Sequence, residues 1–132
     1  MIVVQYKHYI KEALNDMDIN AIAKNLNKNV EVVESTFTQN NLQLISYGFC
    51  GISEDNGWME LLIEIATLEG TSINNSVSVK ANFYDGDNII IYSYDTKVDA
   101  NDFEGYDTVH LYLNENNLAF NAVKCRLFAT RA

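Results

Sequence analysis

The chain of 132 residues has no proline, two cysteines, two histidines and one tryptophan. Each shortage narrows what it can be. Without proline, the turns fall to asparagine, aspartate and glycine, which suits polar corners and caps without indicating an activity. Cys50 and Cys125 are far apart in sequence and show no CxxC or Cys/His spacing. Two buried, reduced thiols are therefore expected in place of a metal or redox centre, with one disulfide as the alternative. His8 and His110 are the histidines, and no sequence pattern supplies either with a nucleophile and an orienting partner. No catalytic set and no cofactor are expected.

Basic residues are the other shortage. Nine Lys and Arg face eighteen Asp and Glu, a formal net charge of −9. The imbalance belongs to the C-terminal part: residues 1–39 carry four basic against five acidic residues, and residues 40–132 carry five against thirteen. Such a surface repels phosphate backbones and anionic lipid, which argues against direct nucleic-acid or membrane binding and for a basic protein partner. The opening MIVVQYKHYI has no basic start followed by a long apolar run, so neither a secretory signal nor a membrane span is read there. The expected compartment is the cytoplasm, with the mature domain of an exported protein as the alternative. Internal repeats, low-complexity tracts and Gly/Ser linkers are lacking, and the length fits one domain with a small appendage.

Two periodicities divide what is present. Tyr6, Tyr9, Ile10, Ala13, Leu14 and Met17 recur at steps of three and four, predicting an amphipathic helix from about Val4 to Asn15. Asp18 can cap a second helix carrying Ile19, Ile22, Ala23 and Leu26, and Asn29 a third carrying Val30, Val33 and Phe37. The β-branched run VEVVESTF also suits a strand. From Leu42 the period falls to two. Met59, Leu61, Ile63 and Ile65 oppose Glu60 and Glu64; Val77, Val79, Ala81 and Phe83 oppose Ser78, Lys80, Asn82 and Tyr84. Asp85-Gly86 is expected to supply positive φ for a tight hairpin whose return strand starts at Asn88. Val109, Leu111 and Leu113, then Val123, Cys125 and Leu127, extend the inner face. About six strands at ten-residue spacing predict a mainly β, antiparallel sandwich over 41–132 after an N-terminal helical segment over 1–40, with a small barrel as competitor. The polar stretch Thr38–Asn41 marks the boundary.

The valine-rich strand ending in ANFYD, residues 81–85, followed by Gly86 and an apolar strand, resembles the FxLYD family of bacterial immunoglobulin-like domains. Asn74-Asn75-Ser76 and Glu104-Gly105 stand where that family has its corners, and the resemblance covers residues 58–130. It implies an immunoglobulin-like β-sandwich acting as an accessory or interaction module. Tyr84 and Asp85 agree with the motif; Ala81 and Phe83 replace its Phe and Leu.

Candidate binding residues lie on strands and loops. The tyrosines Tyr84, Tyr92, Tyr94, Tyr106 and Tyr112 are expected to be exposed and to offer a protein contact surface. Alternating loops are expected to gather Glu54, Asp55, Asp85, Asp87 and Glu115 at one end of the sandwich. Glu69, Asp95, Asp99, Asp102, Glu104 and Asp107 would gather at the other. The segment 18–37 has a helix-turn-helix outline but offers Glu31 and Glu34 where a base reader needs cations. The reading reached is a noncatalytic protein-interaction module of bacterial or phage origin, with homodimerisation through a sheet edge allowed. Its alternatives are an acidic inhibitor that mimics nucleic-acid charge and a calcium-binding sandwich.

Overall fold

In the computed structural model, residues 19–132 are described; the Val4–Asn15 helix and the Asp18 cap fall outside them. Helix α1, Ile19–Lys28, buries Ile22 and Leu26, one turn apart on a single stripe. Where the sequence allows either a third helix or a strand, the chain forms one of each. Val30–Val32 forms strand β1 and Glu34–Thr38 the short helix α2. The β-branched run explains the strand, and a parallel ladder to the last strand of the chain fixes it, with Val30 opposite Cys125 and Val32 opposite Leu127. This strand also removes the helix-turn-helix outline.

Strand β2 runs Leu42–Cys50, β3 Met59–Thr67, β4 Val77–Tyr84, β5 Ile90–Val98 and β6 Tyr106–Leu113. A short helix α3, Leu118–Asn121, precedes β7, Lys124–Arg131. The strands make two sheets, ordered β1-β7-β4-β5 and β2-β3-β6, antiparallel except for β1 beside β7. The fold is a mainly β, two-sheet sandwich with short helices, as the period-two pattern predicts.

Leu61, Ile63, Ile65, Leu111 and Leu113 from one sheet meet Val77, Val79, Ala81, Phe83, Cys125 and Leu127 from the other, all fully buried. Phe49 packs edge to face on Phe83, their centroids 6.1 Å apart, joining the layers. The helices close one flank. Phe37 of α2 is 1% exposed. Thr36 Oγ1 donates to Val33 O at 2.6 Å and accepts from Ala129 N at 2.9 Å, tying α2 to β7. Asn27 Oδ1 accepts the Phe49 N–H at 3.0 Å, so α1 satisfies an amide on the edge of β2.

The β4–β5 hairpin differs from the two-residue turn expected. Gly86 does not take positive φ; Asn88 does, at 62°. Asp85 builds a longer loop by accepting from Asp87 N at 2.9 Å and Ile89 N at 3.0 Å through one carboxylate oxygen. A bulge between Phe83 and Tyr84 accommodates it.

Candidate functional site

The outer face of the β2-β3-β6 sheet is built by register. Cys50, Glu60 and Tyr112 form one row across the strands; Gly48, Leu62 and His110 the next; Ser46, Glu64 and Thr108 the third; Gln43, Ala66 and Tyr106 the last. All point away from the core because their neighbours along each strand point into it. Tyr106 and Tyr112 are about half exposed, at 53% and 52%, Leu62 shows 37%, and Trp58 joins them from just before β3 at 38%. A bulge at Leu44/Ser46 leaves Ile45 exposed on the same strand.

Two carboxylates organise this face. Glu60 Oε1 pairs with His110 Nε2 at 2.9 Å, and the His110 ring stacks on Tyr112, centroids 4.1 Å apart and 19° from parallel. Glu64 accepts hydrogen bonds from Ser46 Oγ on β2 and from Tyr106 Oη on β6, so one side chain spans three strands. These two donors, Ser46 first, hold the Glu64 carboxyl below its ordinary pKa. Trp58 Nε1 donates to Asn116 Oδ1 at 2.9 Å, fixing the indole at the end of the face. Strands β2, β3 and β6 contain neither lysine nor arginine. The described cations lie elsewhere: Lys24 and Lys28 on α1, and Lys80, Lys97, Lys124, Arg126 and Arg131 on the four-stranded sheet.

Tyr106 is also the corner of a second feature. Beside it lies an open cleft of about 300 Å³ lined by Lys97, Asp99, Asp102, Phe103, Glu104 and Asp107. The loops alternate between the two ends as the strand order requires. Ser76 Oγ reaches Asp99, and Thr67 N donates to Gly105 O at 3.0 Å, gathering one end. Asn117 N donates to Asn56 O, and Lys124 Nζ to Asn88 Oδ1 at 2.8 Å, gathering the other beside Asp85 and Asp87. At that second end Gly57, with φ of 73°, passes so close to the Asn117 backbone that a Cβ would lie 2.8 Å from its Cα. Among the described residues, no three His, Cys, Asp or Glu side chains converge as a metal set.

The expected tyrosine surface is corrected at three positions. Tyr84 is 6% exposed: it lies on the outer side of β4 as its parity requires, but Lys124 Nζ sits 4.5 Å and the Arg126 guanidinium 5.3 Å from its ring centroid. Arg126 Nη1 donates to its hydroxyl at 3.1 Å and Nη2 reaches Glu31. Long cationic stems cover this ring, which one strand's alternation does not reveal. Tyr92 and Tyr94 are half-buried against the core, Tyr92 opposite Phe83. Burial, with Glu115 and Tyr94 adding to it, raises the Tyr92 pKa. The structure thus brings Tyr106 and Tyr112 onto one face, joins Tyr106 to Asp99 and Asp102, and leaves Asp85 and Asp87 at the opposite end. Trp58, Glu60, Leu62 and Glu64 complete the face; period-two alternation already placed both glutamates outward, while the exposure of Leu62 depends on no other described element lying over the sheet.

Both thiols are free. Cys125 is sealed in the core, which raises its pKa strongly, and Cys50 sits at the half-buried edge, its pKa raised by desolvation and then by Glu60.

No family model and no curated protein matches this chain. Among solved structures, a DUF1425 family member from Shewanella sp. pv-4 superposes with a TM-score of 0.45 at 12% identity, covering 70% of this chain and 80% of that one. Campylobacter jejuni cj0090 superposes with a TM-score of 0.44 at 12% identity, covering 79% of this chain and 98% of that one.

Proposed function

We propose that the protein is a noncatalytic interaction module that holds a lysine- or arginine-bearing segment of a protein partner across the outer face of β2-β3-β6. One observation carries this reading: the sheet lacks every lysine and arginine while it exposes Trp58, Leu62, Tyr106 and Tyr112 around Glu60 and Glu64. Aromatic faces and carboxylates together suit cationic side chains with apolar stems, through cation–π contact and charge-assisted hydrogen bonds. The cleft of Asp99, Asp102, Glu104 and Asp107 continues the negative potential past Tyr106. The resemblance of residues 58–130 to FxLYD domains also supports an accessory role.

The test titrates the full chain with an extended Arg/Ser peptide and with a Gln/Ser control, by calorimetry and by amide chemical shifts. Shifts confined to β2, β3 and β6, and loss of binding in Tyr112→Ala and Glu60→Gln, are expected. Equal binding of both peptides, or shifts centred on the four-stranded sheet, would overturn the reading. The two acidic ends favour a second reading, an acidic inhibitor acting through charge alone. In that case salt abolishes binding and Tyr112→Ala leaves it unchanged.

A further inference from the structure

We propose that the chain forms a homodimer by antiparallel pairing of two β5 edges about a two-fold axis at Thr96. Strand β5 is nine residues long and, among the described residues, ends its sheet, paired to β4 on one side only. The other edges are less suited. β2 is covered by α1, β1 has three residues, and β6 carries Asp107 without a lysine or arginine to answer it in a second copy.

The phase of the free edge follows from its neighbours. Ser76 O accepts from Ala132 N and Tyr84 O from Val123 N, so even-numbered residues of β4 turn their amides to β7 and odd-numbered ones to β5. Through the register Val79 to Thr96 and Ala81 to Tyr94, the even residues of β5 bond inward to β4. Ser93, Asp95 and Lys97 then direct their backbone N–H and C=O groups outward. Two such edges meeting antiparallel must oppose outward residues with outward residues, which confines the axis to a residue rather than a peptide bond.

Charge selects which residue. An axis at Asp95 sets two aspartates opposite each other, and an axis at Tyr94 leaves Lys97 opposite Ile91. At Thr96, Asp95 of each copy lies opposite Lys97 of the other, a complementary pair made twice. Both side chains are exposed on the outer face. On the inner face, Tyr94, half-buried in the single chain, gains Val98 of the second copy as its cross-strand neighbour. The bulge near Phe83/Tyr84 confines regular pairing to the segment after Ile91.

Sedimentation equilibrium of the full chain should give a dimer mass at high micromolar concentration. Asp95→Lys and Lys97→Asp should each weaken association by about tenfold, since each sets like charges opposite one another twice. Mixed in equal amounts, the two variants should form a heterodimer as tight as the original, because one copy then presents two lysines and the other two aspartates. Native mass spectrometry distinguishes it by mass. Hydrogen exchange on the unaltered chain supplies a second measurement, with the Asp95 and Lys97 amides gaining protection as concentration rises; Ser93 falls opposite Asp99, whose carbonyl already accepts from Asp102 N and Phe103 N. A monomer at millimolar concentration, undiminished association of either single variant, or a mixture no tighter than its components would each overturn the proposal.

Discussion

Glu64 links three strands through two accepted hydrogen bonds, and this gives its protonation a consequence for stability. Its folded-state pKa is depressed, so the unfolded chain binds the proton more readily in the interval between the two values. The contribution is complete above the ordinary glutamate value and disappears as pH falls through the depressed one. Urea midpoints measured from neutral pH down into the acid range should fall less in Glu64→Gln than in the parent; equal slopes would remove this role. The thiols give a kinetic prediction. Cys50 should react with a soluble disulfide reagent in the folded protein, slowly because its thiolate is disfavoured, and Cys125 only on unfolding. Simultaneous labelling of both in native buffer would contradict that placement. Residue identity and parity made much of this legible: Glu60, Glu64, Tyr106 and Tyr112 read as outward from alternation alone. Tyr84 shows where the reading ends, because Lys124 and Arg126 cover it from a strand forty residues away in sequence.

The β4–β5 hairpin separates turn composition from turn geometry. Asp-Gly suggested positive φ at Gly86, yet the left-handed position is Asn88 and the structural donor contacts converge on Asp85. Gly86→Ala, with open space at its Cβ, should stay within about 0.5 kcal/mol of the parent in chemical denaturation. Asp85→Ala should cost about 1–2 kcal/mol by losing both loop hydrogen bonds. The reverse order would indicate the two-residue turn after all. The α2–β7 tie supplies a parallel case. Thr36→Val keeps the shape of the side chain but leaves the Ala129 amide without its acceptor, for an expected loss of about 1–3 kcal/mol. Nothing in the local sequence pointed from Thr36 to Ala129. The split of residues 29–38 into strand and helix has the same origin, since β1 exists through its ladder to β7.

Across the molecule, charge is sorted by sheet. All described lysines and arginines lie on α1 or the four-stranded sheet, while β2, β3 and β6 keep their carboxylates. Binding of the arginine peptide should therefore weaken with added salt while retaining a residual component carried by Trp58, Leu62 and Tyr112, and a wholly salt-insensitive affinity would count against charge complementarity. Composition and periodicity determined that the chain makes a β-sandwich with an acidic surface, because alternation is a local property and the apolar residues must find a common interior. They also placed the loops at their respective ends, which needs only consecutive antiparallel strands, but not Asp95, expected among the loop carboxylates and found within β5 opposite Lys80. Strand neighbours were decided by packing: β1 lies parallel to β7 and β6 lies beside β3, pairings between segments distant in the chain. Exposure was decided there too. The same outward parity leaves Tyr112 open and covers Tyr84, because burial depends on which side chains adjacent strands lay across a ring, and that adjacency exists only once the sheets have formed.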